Sequence, residues 1–135
     1  MKEHGHYCFE WQGDLLILSL KGAFNEAAIL SFFKDVLESV VTSKKAQWVL
    51  LSSLDRTMMG TPNVLEIIKN AYRWGETHGC VSAALSGANV VISKVFSDFF
   101  ELISYDTKLF DHKQDAVDWL NVQLEKKNSN DLTVE

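Results

Sequence analysis

The sequence predicts a single α/β domain, and three observations predict it. Apolar residues recur at helical spacing in four segments, short apolar runs lie between those segments, and a Gly-Asp pair joins two strand-like stretches near the start. Strands alternating with helices call for a sheet whose later strands run parallel, with crossover helices packed against it. The expected order is β-β-α-β-α-β-α-β-α, a mixed sheet of about five strands with an N-terminal hairpin and four helices.

The hairpin comes first. Tyr7, Phe9 and Trp11 share one face at period two, Gly13-Asp14 makes the turn, and residues 15–20 form a nearly continuous apolar run ended by Gly22. Asn25 is a favoured N-cap, and Ile29, Phe33, Val36, Leu37 and Val40 mark the buried face of a helix over 25–41. Residues 48–51 read as a strand buried on both faces. Residues 55–60 read as a loop, after which Thr61-Pro62 places an N-cap beside a proline at the first helical position. The helix so begun carries Val64, Leu65, Ile67, Ile68, Ala71, Tyr72 and Trp74 on a broad apolar face and ends near Gly75 and Gly79. A strand over 80–85 leads through Gly87 to a helix over 89–103, and a brief strand over 107–110 follows. Asp111 and Gln114 stand at the two positions of a capping box for the last helix. Residues 1–127 form the expected domain, and 128–135 a polar, frayed tail.

Composition narrows the function classes. The 135 residues suffice for one substantial core and not two, and 47% hydrophobic against 23% charged residues argues for a folded chain. A net charge of −5 disfavours nucleic acid and anionic membrane surfaces as partners. No apolar run approaches the roughly 20 residues of a membrane span, and MKEHGHY lacks the apolar centre of an export signal. Cys8 and Cys80 have no CxxC spacing and read as free thiols, so a cytoplasmic location is expected.

Three segments carry a family resemblance. LLILSLKGAFN resembles the second strand of the STAS domain, the fold of bacterial anti-sigma-factor antagonists, and in particular its SpoIIAA-like (STAS/SEC14) branch. WVLLSSLDRTMMGTPNVLEII is similar to that family's central strand, signature loop and following helix, and KLFDHKQDAVDWL to its terminal strand, acidic turn and helix. The resemblance spans residues 9–124. It implies a non-catalytic regulatory module acting through protein–protein contact. The SEC14 side of the likeness implies, as an alternative, a small apolar ligand or lipid. In classical antagonists a phosphorylatable Ser follows an Asp ahead of this helix. Here Gly60 stands in place of the Asp and Thr61 in place of the Ser, with Pro62 and Asn63 after them. The hydroxyl is kept, while the acidic neighbour and the glycine are not.

The loop is therefore the expected partner-binding edge, through Asp55, Arg56, Met58, Met59, Gly60, Thr61 and Asn63. Adjacent methionines make an adaptable apolar surface, or one of them enters the core. Thr61 is a candidate phosphoacceptor, since a phosphate at a helix N-terminus meets unpaired N–H groups, though capping alone also explains it. Ser86, Gly87 and Asn89 form a second turn that could receive an anion at a helix start. Phe32, Phe33, Phe96, Phe99 and Phe100 read as core packing; alternatively Phe32 or Phe100, just off the main apolar stripes, lines a groove for a lipid or a second subunit, a homodimer in the latter case.

Catalysis is not expected. His4 and His6 lack a third metal ligand by sequence, and His78 and Cys80 lie two residues apart, a spacing that does not make a nucleophile–base pair. No GxSxG, HExxH or P-loop pattern occurs. No metal or cofactor is called for.

Overall fold

The chain is seen in a computed structural model that describes residues 4–133. Strands β1 (His6–Gln12), β2 (Leu15–Lys21), β4 (Trp48–Leu54), β6 (Cys80–Ser86) and β7 (Asp106–Phe110) form one sheet in the order β1-β2-β4-β6-β7. Two-residue strands β3 (Ala23–Phe24) and β5 (Met59–Gly60) pair beside it. Helices α1 (Glu26–Ser43), α2 (Pro62–Glu76), α3 (Val90–Phe100) and α4 (Lys113–Thr133) are the helices among the described residues.

The hairpin forms as the sequence predicts. Gln12 pairs with Leu15, so Gly13 and Asp14 are the whole loop, and Gly13 takes φ +61, which a two-residue turn favours. Strand β1 pairs antiparallel and lies at the sheet edge, while every other pairing of the main sheet is parallel. From β2 to β7 the strand order advances in one direction, so crossovers of one hand put α1, α2 and α3 on the same face.

Two cores result. Leu16, Leu18 and Leu20 of β2 join residues of the three crossover helices, while Leu15 and Ile17 face the other way under α4. Burial on both faces is what a continuous apolar run encodes in a parallel sheet. Val49, Leu51, Ala84, Ala116 and Leu120 complete the smaller core, which among the described residues α4 alone covers.

Two helix starts are capped as expected, the Asn25 and Thr61 side chains accepting from the amides of Ala28 and Val64 at 2.9 and 3.3 Å, and Asn89, read as the first helical residue, likewise caps α3 by accepting from Ile92 at 2.9 Å. The fourth start differs. Helix α4 begins at Lys113, and the Gln114 carboxamide turns forward to Asp118 rather than back to Asp111, so no capping box forms. The helix also continues past residue 127 to Thr133, so the polar segment expected to fray makes up its last turns; residues 134–135 lie outside the described residues.

Phe32 and Phe100 are core residues first, although Phe100 also borders an open cavity of about 270 Å³ beside Ser97 and Lys108. Both are buried in the larger core, because Tyr7 of β1 packs on Phe32 at 4.8 Å and Tyr72 on Phe100 at 5.4 Å. Helix α1 thus buries a wider arc than its strongest stripe marks.

Candidate functional site

The carboxyl ends of β2, β4 and β6 meet at one edge of the sheet, and three turns are tied together there. Asp55 leaves β4, and its Oδ1 accepts from the Thr57 amide at 2.9 Å and the Thr57 hydroxyl at 2.6 Å. These two bonds, the hydroxyl's first, hold the Asp55 carboxyl below its usual range; Lys21 adds to the effect. The Met58 amide closes the turn onto the Asp55 carbonyl at 2.9 Å.

Gly22 fastens this loop from one side. Its amide donates to Thr57 Oγ1 at 3.1 Å, and its carbonyl accepts from Met59 N at 3.0 Å. Asn89 fastens it from the other. Its Nδ2 donates to the carbonyls of Arg56 and Met58, at 3.1 Å each. Beneath them Gly87 sits at φ +75, so close to the Leu54 carbonyl oxygen that an added Cβ would collide with it. The sequence read residues 55–63 and the turn at 86–89 as separate candidates. The structure joins them into one edge.

The two methionines diverge. Met58 is 1% exposed and belongs to the larger core, whereas Met59 is 51% exposed. One methionine thus enters the core, the second of the two alternatives, and Met58 is removed from the expected partner-binding residues. Arg56, Thr61 and Asn63 are exposed, Gly60 is half-buried, and Asn63 donates to Glu26 of α1 at 3.1 Å. At the other turn Ser86 is buried and the Gly87 amide donates to the Phe110 carbonyl at 3.2 Å. The Ile92 amide is bound by Asn89, so two donors an anion would use are already engaged.

Sequence reasoning passed over Thr57 and Gly22. An Asp two residues before a Thr is a local turn signal that could have marked Thr57. The Asn89 link spans about 30 residues of chain and leaves no local trace.

The residues weighed for catalysis stay apart in role. His78 lies exposed, stacked on Trp74 at 3.8 Å and 9°, with Nδ1 at 2.8 Å from the Trp74 carbonyl. Cys80 is buried, donates to the Ser82 carbonyl at 3.4 Å, and its thiol is pushed up to about 12 by that burial. Among the described residues no three His, Cys, Asp or Glu side chains gather as a metal site would need, and no helix is long and apolar enough to cross a membrane.

Among solved structures, the chain matches a DUF3478-family protein from Shewanella loihica PV-4 that has a SpoIIAA-like fold. The TM-score is 0.64 over 89% of this chain and 96% of that one, at 17% identity. The fold is SpoIIAA-like. An anti-sigma factor antagonist from Mycobacterium paratuberculosis matches with a TM-score of 0.59, 13% identity, and coverage of 87% and 95%. No family model and no curated protein sequence matches the chain. The SpoIIAA-like fold agrees with the strand and helix order expected from the sequence, the antiparallel first strand included.

Proposed function

We propose that this SpoIIAA-like domain is a non-catalytic regulatory module that docks another protein through residues 55–63. The observation that carries the reading is the pinned loop: Gly22 and Asn89 hold its backbone from both sides while Arg56, Met59 and Thr61 stay exposed. A pre-formed edge loses little conformational freedom on binding. The structural likeness to an anti-sigma factor antagonist supports a protein as the partner.

Met59→Asp is the direct test, since it places a charge on the exposed edge and leaves the core intact. A partner purified with the wild-type protein should be lost from the variant, with the fold unchanged by circular dichroism. Undiminished binding by both Met59→Asp and Arg56→Glu would refute this edge.

Thr61 supplies a means of control in the same reading. It is exposed at the start of α2, where a phosphate meets the positive end of the helix dipole. Thr61→Glu and Thr61→Ala should then differ in partner affinity, and equal affinity would remove the switch.

A second reading, a small apolar ligand or lipid, is favoured by one feature. Leu30, Phe33, Leu37, Ile67 and Trp74 line an open groove of about 370 Å³ between α1 and α2. Delipidation should lower thermal stability if such a ligand is carried.

A further inference from the structure

The sheet face under α4 changes character at one level on adjacent strands. Leu15 and Ile17 of β2, with Val49 and Leu51 of β4, are buried in the smaller core. The next side chains on that face are Ser19 and Lys21, then Ser53 and Asp55, since strand side chains alternate. Strand β1 adds Cys8 and His6 in register: His6 pairs with Lys21, Cys8 with Ser19, and Ser19 with Ser53. These six side chains line an open cavity of about 390 Å³.

Their polar groups are available. Among the described residues the Cys8 thiol, the Ser19 and Ser53 hydroxyls and the Lys21 ammonium take part in no hydrogen bond. Asp55 spends Oδ1 on Thr57 and keeps Oδ2. The cavity thus presents one positive and one negative side chain above a floor of hydroxyls. A simple anion would meet Asp55 and a simple cation Lys21, while an apolar molecule would strand the hydroxyls.

We infer that this cavity binds a small zwitterion of the α-amino-acid type, with its carboxylate on Lys21 and its ammonium on Asp55. The volume falls within the usual range for small-molecule pockets. This site borders the docking edge and shares Asp55 with it, while Met59 and the start of α2 lie outside the cavity lining.

Cys8 provides the measurement. It is exposed and lines the cavity, whereas Cys80 is buried, so iodoacetamide applied to the native protein reads Cys8. The common L-amino acids are added one at a time. At least one should slow alkylation hyperbolically, by roughly tenfold when its concentration is about ten times Kd. Its deaminated acid and decarboxylated amine should not protect at the same concentration. Lys21→Ala should abolish the protection ratio, and Met59→Asp should retain it. The inference is overturned if no amino acid protects, or if the acid or the amine protects as well as the parent.

Discussion

Asn89, at the start of α3, donates its side-chain amide to the main-chain carbonyl of Met58 at 3.1 Å, although 31 residues separate them. The same amide reaches the Arg56 carbonyl at 3.1 Å, and the side-chain oxygen caps α3 on the Ile92 amide at 2.9 Å. One side chain therefore both starts a helix and fixes the neighbouring loop.

Substitution can divide those two roles. Asn89→Ala should lower the unfolding free energy by roughly 2–3 kcal/mol, about 1 for the cap and about 1 for each further hydrogen bond, less what water recovers. Asn89→Asp keeps the cap and loses both amide donations. Urea denaturation should place it nearer the alanine variant than the wild type; wild-type stability would mean the loop bonds contribute nothing.

Neighbouring methionines should respond in opposite ways. Met58→Ala opens a cavity in the larger core and is expected to cost about 2–5 kcal/mol. Met59→Ala alters an exposed side chain and should stay within about 0.5 kcal/mol. Equal thermal shifts for the two would contradict their assigned burial.

Gly87→Ala should cost at least about 2 kcal/mol, from a left-handed backbone that disfavours a Cβ and from collision with the Leu54 carbonyl. Chemical denaturation gives the value. A neutral substitution would show that the 86–89 turn can swing away from β4.

Alkaline pH should weaken the fold. Burial raises the ionisation of Tyr72 and Tyr105 above the phenol value of 10.0, and that of the Cys80 thiol from 9.0 to about 12. The folded state then holds protons that the unfolded chain has released. Their stabilisation is complete below about pH 9 and is lost as pH rises toward the folded-state values. Urea titrations across that range should show a falling free energy, with a shallower slope in Cys80→Ala. Asp55 acts at the other end: its contribution is present above 3.8 and lost as pH falls through its lowered value, which the Thr57 amide resonance can follow.

Much of this architecture was legible because it is written locally. The Gly13 turn, the period-two aromatics of β1 and the caps at Asn25 and Thr61 depend on residues a few positions apart. What escaped depends on distant partners. Phe32 sits off the main stripe of α1, so the choice between core and groove waited on β1, whose Tyr7 and Phe9 pack on it. No periodicity crosses residues 55–60, so nothing in the sequence told Met58 from Met59. The polar level at Ser19 and Ser53 emerges only once β2 and β4 are in register.

The division of labour between the sheet faces bears on how the protein is made. Among the described residues every strand is synthesised before α4, and no other helix covers Leu15, Ile17, Val49, Leu51 and Ala84. A ribosome-bound chain that has already paired its strands therefore carries a bare apolar face until α4 clears the exit tunnel. During that interval the exposed apolar face favours association with neighbouring nascent chains on a polysome.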